Sequence, residues 1–277
     1  MGHSMDKITT QGMRMDKLGL GTFRMKGPEC TAATLLGLEL GYRHIDTAEM
    51  YGNEDAIGEA MAQTAAPRAD IHLTSKVWWD HLAPDAMDRA IDASLARLQT
   101  DYVDLYLVHW PAAGMDMKQV MASLVQVKDS GRAKAIGVAN FTSAMVTEAA
   151  ALAPIACNQV EYHVLLDQAK LLGVMRGLGI PLVAYAPLAQ GRLAEHASLA
   201  AIAAKHGATA SQVALKWLLD QDGVAAIPKA SRRESQQANL DALKIMLDDA
   251  DRAVIAALPK DSRFVQPAFA PVWDLAA

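Results

Sequence analysis

Eight short apolar segments, each followed by at least one helical stretch, run through the chain with no low-complexity linker between them. Alternation of this kind demands parallel strands joined by helical crossovers. The strands are read at 18–23, 43–47, 71–77, 102–109, 135–139, 156–161, 181–185 and 224–227. The helices are read at 31–40, 53–64, 85–99, around Met117 to Val127, and at 143–152 and 168–178. Two more, 197–206 and 210–221, precede the last strand, and 232–243 and 248–257 follow it. Periodicity carries these assignments. Met87, Ile91, Leu95 and Leu98 recur at helical spacing, whereas Val103, Leu105, Leu107 and His109 share one face of a strand. A small hairpin is expected near 7–16. Eight such units in 277 residues point to one closed (β/α)8 TIM barrel over the whole chain, with extra helices near the C-terminus.

Barrels of this type place chemistry at the C-terminal ends of their strands. Those ends carry Asp46, Lys76, His109, Asn140, Gln159, Tyr185 and Lys229 in succession. Each has an ordinary explanation alone: Asp46 a turn residue, His109 a satisfied core histidine, Asn140 a helix cap, Lys229 a surface charge. Convergence on one rim favours a site. The densest stretch is Gly41 to Glu54, where Asp46 ends a strand and Tyr51 precedes Asn53, Glu54 and Asp55, a good helix start.

The residue types also fit together. A phenol has a pKa near 10, and an adjacent ammonium stabilises the phenolate. Lowering it by about 3 units needs roughly 4 kcal/mol, which Lys76 can supply if Asp46 holds it charged. His109 can donate a hydrogen bond to a substrate oxygen. Asn140 and Gln159 can grip another amide, and Tyr185 offers a flat face for stacking. A proton donor, an amide clamp and a stacking platform suit a carbonyl reduced by a nicotinamide.

Composition narrows the field. With 26 basic against 31 acidic residues and no long run of either sign, nucleic acid and acidic membranes are disfavoured as partners. Two cysteines, Cys30 and Cys157, make no disulfide framework and fit a reducing cytoplasm. No CxxC or HExxH spacing suggests a metal. The N-terminus lacks the order of a signal peptide, and no segment reaches membrane-spanning length. A soluble cytoplasmic protein is expected. Residues 1–5, with Gly2-His3-Ser4 before Met5, read as a cloning remnant.

Over residues 16–275 the chain resembles the aldo-keto reductases. The likeness rests on Leu18-Gly-Leu-Gly-Thr-Phe23, Gly41-Tyr-Arg-His-Ile-Asp-Thr-Ala48, Tyr51-Gly-Asn-Glu54, Thr74-Ser-Lys-Val77 and Asp101 to Pro111. It continues in Ile136-Gly-Val-Ala-Asn-Phe141, Asn158-Gln-Val-Glu-Tyr-His163 and Ile227-Pro-Lys229. The short tail, Asp261 to Pro267 and Ala270 to Asp274, is most similar to the bacterial 2,5-diketo-D-gluconate and methylglyoxal reductase type.

The resemblance implies a catalytic tetrad of Asp46, Tyr51, Lys76 and His109. In it Tyr51 is the general acid, Lys76 held by Asp46 lowers its pKa, and His109 orients the carbonyl. It implies NADPH as cofactor, with NADH a weaker alternative. The cofactor set would be Gly21, Thr22, Asn140, Gln159, Tyr185, Leu188, Gln190, Lys229, Ser231, Arg232 and Asn239. The substrate, a small carbonyl compound, would meet Phe23, Met50, Trp78, Trp110 and Trp273, with Phe264 and Phe269 of the tail. Family habit implies a monomer, and no Rossmann fingerprint is needed. Gly19-Leu20-Gly21 is read as backbone clearance at the barrel rim.

Several positions depart from the family pattern. Ala139 and Ala186 replace common serines, Ala230 a frequent serine, and Ser235 a frequent arginine. Arg232 or Arg233 can compensate at a 2′-phosphate, since guanidinium binds phosphate bidentately. Discrimination against NADH is therefore expected to be weaker than usual. The competing readings are a Schiff-base aldolase using Lys76, which requires a lysine of depressed pKa, and a nucleotide-sensing protein with little turnover. A metal-dependent barrel hydrolase is disfavoured, because no His-x-His pair ends a strand.

Overall fold

The computed structural model describes residues 6–274, so the presumed cloning remnant lies outside the described residues. The expected hairpin is β1 (Lys7–Thr10) and β2 (Met13–Asp16), with Ile8 opposite Met15. Its turn residues Gln11 and Gly12 both have positive φ, as a tight two-residue hairpin turn demands.

The barrel strands follow as β3 (Leu20–Gly21), β4 (His44–Asp46), β5 (His72–Val77), β6 (Val103–Val108), β7 (Ala133–Ala139), β8 (Ile155–Glu161), β9 (Leu182–Tyr185) and β10 (Val224–Ala226). Neighbours in the sheet are neighbours in the chain, and every pair is parallel. The helices are α1 (Gly27–Leu40), α2 (Glu54–Gln63), α3 (Pro84–Leu98), α4 (Met117–Asp129), α5 (Ser143–Leu152), α6 (Ala169–Leu178), α7 (Ala197–Lys205), α8 (Ala210–Leu219), α9 (Arg233–Asp241) and α10 (Asp249–Ala256). Helix α1 starts four residues before its expected place, because Pro28 in the first turn has the φ a helix start needs.

The sheet closes on itself. Gly19 N–H donates to the Ala226 carbonyl (2.9 Å), Ala226 N–H to Lys17 (2.7 Å) and Gly21 N–H to Pro228 (3.1 Å). A Cβ at Gly19 would lie 2.8 Å from the His44 ring, and one at Gly21 would lie 2.5 Å from the Ile227 carbonyl oxygen. The two glycines therefore clear the seam between first and last strands, rather than the rim alone.

Inside the barrel Leu105, Leu107, Ala135, Ala156, Val183 and Ala225 pack with Ile8, Met13 and Met15 of the hairpin. The apolar face of β1–β2 thus plugs the N-terminal end and leaves the other end as the mouth. The stripe Met87, Ile91, Leu95 and Leu98 of α3 is buried in the larger core.

Candidate active site

The mouth is built from side chains that the strands release as they end. Asp46 closes β4, and Lys76 projects from β5 beside it with its Nζ 2.6 Å from Asp46 Oδ1. The same ammonium donates to the Thr47 carbonyl (2.7 Å) and to Tyr51 Oη (3.3 Å). All three of its N–H bonds are committed, and the side chain is fully buried. Burial lowers the pKa of this lysine, as the aldolase reading requires, but Asp46 opposes that and three oxygens around Nζ favour the ammonium form. Asp46 Oδ2 accepts from Gln159 Nε2 at 2.7 Å. His109 follows β6, and its ring centroid is 5.6 Å from that of Tyr51.

The loop carrying Tyr51 is held by Asn53. This residue makes no side-chain cap for α2, contrary to its sequence reading. Instead it accepts from Thr47 Oγ1 (2.7 Å) and donates to the carbonyls of Thr22 (3.0 Å) and Met25 (3.1 Å). Glu54 is buried behind it, accepting from Ser75 Oγ (2.5 Å) and from Arg97 (2.9 and 2.6 Å).

Burial pushes the Tyr51 phenol well above its ordinary value, and the Asp46 carboxylate adds in the same direction. The net direction is opposite to the lowering expected from Lys76, because burial is the largest cause and the Asp46 carboxylate, 2.6 Å from the ammonium, offsets the charge of the lysine. Burial pulls Lys76 below the usual lysine range while Asp46 pulls it back. Burial, helped by Lys76, drives His109 well below 6.5, so its imidazole is neutral with one N–H to give. Its Nδ1 is buried without a hydrogen-bond partner among the described residues.

On the opposite side Asn140 adopts φ +62°. Left-handed backbone at a non-glycine residue costs of order 1–3 kcal/mol and persists where surroundings fix it. Here its N–H donates to the Gln159 carbonyl (2.9 Å) and Nδ2 to the His109 carbonyl (2.9 Å), while Oδ1 accepts from Tyr185 Oη (2.8 Å). Ala186, Ala189 and Gln190, in the loop after β9, and Arg24, after β3, are left-handed too. Leu188 is half-buried in that loop, and Gln190 is exposed. Gly21 and Thr22 are buried, with Thr22 Oγ1 donating to the Asp46 carbonyl at 2.9 Å.

Lys229 and Arg232 stand exposed just before α9, without a side-chain partner among the described residues. Arg233, the alternative phosphate ligand, is paired with Glu39 at 2.8 Å. Ser231 is half-buried nearby, whereas Asn239 is buried beside the Tyr42 hydroxyl.

A run of rings forms the remaining wall. Centroids step from Phe23 to Tyr51 (5.0 Å), from His109 to Trp78 (5.0 Å), from Trp78 to Phe269 (5.6 Å), and on to Trp110 (5.5 Å) and Trp273 (6.0 Å). Phe23 and Met50 are exposed at its edge. Trp79, absent from the sequence reading, joins through Phe269 at 5.4 Å. Phe264 does not: it stacks on His163 and under Arg192, because its backbone is tied down at β8. Among the described residues no group of three or more His, Cys, Asp or Glu converges as metal ligands, and no helix is long and apolar enough to cross a membrane.

A model of the Aldo/keto reductase family matches residues 17–259. The chain belongs to the aldo/keto reductase family. It is an oxidoreductase with the (β/α)8 fold of that family. It is 39% identical to methylglyoxal reductase DkgB of Salmonella typhimurium, over 95% of this chain and all of the relative. It is 38% identical to glyoxal reductase of Bacillus subtilis, over 91% of this chain and 92% of the relative. A crystal structure described as a 2,5-diketo-D-gluconic acid reductase B superposes with a TM-score of 0.96 at 40% identity, covering 98% of both chains.

Proposed function

We propose that the protein is an NADPH-dependent reductase of small aldehydes and ketones, foremost α-dicarbonyls and keto-sugar acids, with Tyr51 as the proton donor. One observation carries the reading: the Tyr51 hydroxyl lies 3.3 Å from an ammonium that Asp46 fixes, beside a neutral imidazole. The names of the relatives, which refer to methylglyoxal, glyoxal and 2,5-diketo-D-gluconic acid, support the substrate class.

The donor set fits a nicotinamide dinucleotide. Asn140 and Gln159 have their NH2 groups committed to His109 and Asp46, so only their carbonyl oxygens could accept from a carboxamide NH2, that of Asn140 through the lone pair its bond from Tyr185 leaves over. Ala139 offers no hydroxyl for the carboxamide oxygen. Tyr185, fixed through Asn140, would stack on the ring, and Gly21, Thr22, Leu188 and Gln190 would line its path. Lys229, Ser231 and Arg232 would hold the 2′-phosphate, and buried Asn239 would support that rim. When bound, the reduced nicotinamide supplies hydride.

The chain's own groups handle the proton. With its pKa raised, Tyr51 keeps its hydrogen at neutral pH and meets the carbonyl oxygen as an acid. As that hydrogen leaves, Lys76 faces the phenolate that remains. His109 gives its N–H to the same oxygen and adds no competing charge. The aromatic wall excludes water from the polarised carbonyl. Lacking the frequent arginine at Ser235, the enzyme discriminates NADPH from NADH only modestly; equal or tighter binding of NADH would overturn that. We take it to act as a cytoplasmic monomer, consistent with its two buried free cysteines.

The test is NADPH consumption with methylglyoxal by wild type and Tyr51→Phe. Loss of about 10²–10⁴-fold, with cofactor binding retained, is the expected outcome. NADPH binding without turnover of any aldehyde or keto-sugar by the wild type would make the sensing role the better reading.

A further inference from the structure

We propose that Glu161, at the end of β8, is a positioning residue that fastens the C-terminal tail as one wall of the substrate mouth and thereby sets which carbonyl compounds enter. The substrate half of this rests on the reductase reading; the anchoring half does not.

Glu161 is fully buried, yet it belongs to no part of the proton-handling group. Its Oε1 accepts from the backbone N–H of Phe264 (2.8 Å) and lies 3.1 Å from His163 Nε2. Its Oε2 accepts from the N–H of Val265 (2.9 Å), with Arg263 Nη1 at 3.9 Å. Two consecutive peptide N–H groups and a guanidinium turned to one carboxylate make a socket that an acid satisfies and an amide does not. A glutamine has one acceptor atom where two donors wait, and its NH2 would face a third.

What the socket holds is the wall. The Arg263 guanidinium lies over the Trp273 ring, 3.9 Å from its centroid. Trp273 Nε1 donates to Gln266 at 2.5 Å, and its ring meets Trp110. Phe269, from the same segment, touches Trp78, Trp79 and Trp110. Residues 263–273 contain no helix or strand. The tail is pinned before this stretch by Ser262 N–H to the Leu165 carbonyl (3.0 Å), and after it by Asp274, which accepts from Ser143 N–H and Oγ (both 2.8 Å). Glu161 supplies the attachment between these ends. It stands two residues after Gln159 on one strand, so β8 serves both the Asp46 group and the tail.

The experiment compares wild type with Glu161→Gln by amide hydrogen exchange and by kinetics with methylglyoxal and its bulkier phenyl analogue. Exchange across 262–270 is expected to accelerate at least about ten-fold, while β4 to β7 stay protected. The ratio of kcat/KM between the two substrates shifts about five-fold or more, through KM rather than kcat. Unchanged exchange in the tail overturns the anchor. A uniform fall in kcat for both substrates overturns the selectivity role. If Glu161→Gln does not fold, Arg263→Met leaves the carboxylate and its N–H donors and releases Trp273. It must then shift the same ratio, and a constant ratio counts against the proposal. Exchange needs no turnover, so an inactive wild type would overturn the reductase reading while the anchor is still judged.

Discussion

Strands β4 and β5 each carry a buried polar group at both ends, and the two ends solve burial in opposite ways. At the plugged end His44 lies opposite His72 with the rings edge-on at 4.8 Å. His44 Nδ1 contacts the Asp16 carbonyl (3.0 Å), and His72 Nε2 shares a hydrogen bond with Thr74 Oγ1 (3.2 Å). Burial pushes both imidazoles below their ordinary value, and for His72 the neighbouring His44, Arg68 and Lys134 add to it. At the mouth Asp46 and Lys76 are as deeply buried but meet as opposite charges. Burial therefore does not decide charge by itself. A like partner makes the neutral form cheaper, and an opposite partner with every proton placed retains the ions.

The sharpest way to break this comparison is Lys76→Met. It strands Asp46 as an unpaired buried charge, and the expected loss of stability is about 3–5 kcal/mol, measured by urea unfolding. Reduction should fall by at least about 10²-fold. Adding Asp46→Asn should restore much of the stability and none of the rate. Full stability in the single variant would mean that the pair is not ionic.

A smaller effect separates the histidine end. The folded pKa of His44 and His72 lies below the unfolded value, so the unfolded chain takes up protons first as pH falls. The contribution of these histidines should be level well above pH 6.5 and decline below it, before the carboxylates titrate near 4. Each histidine contributes at most one proton, or about 1.4 kcal/mol per pH unit, and His109 adds its share. His72→Gln should make the slope between pH 6.5 and 5 shallower, with reduction unaffected. An unchanged slope would mean that His72 is not held neutral.

The smallest expected change is Thr74→Val, which removes one hydrogen bond at His72 for about 1 kcal/mol. Its effect should show in the melting temperature and leave the mouth untouched. A loss of activity would show that the two ends of β4–β5 are coupled.

The alternation of strands and helices was readable because apolar period and helix-ending residues act locally, as at Gly41 with its φ of 105°. The grouping of Asp46, Lys76 and His109 was readable because strand ends bring them to one rim whatever the loops do. The roles that escaped are set by distant partners. Asn53 looks like a cap, but Thr22, Met25 and Thr47 take its side chain. Phe264 looks like a wall residue until Glu161 fixes its backbone. The direction of the Tyr51 shift is set first by how deeply the folded chain buries the phenol and then by the nearby Asp46 carboxylate, neither of which residue types carry.

The seam between β3 and β10 has a consequence for how the chain comes off the ribosome. Gly21 pairs with Asp46 early but finds its partner across the seam only when Lys229 has been made, so the outer edge of β3 stays open through most of synthesis. Open strand edges are templates for misplaced pairing, and long-range closures of this kind slow folding. A nascent chain halted before Val224 would expose two such edges at once, whereas one released after α10 can close the ring and hide both.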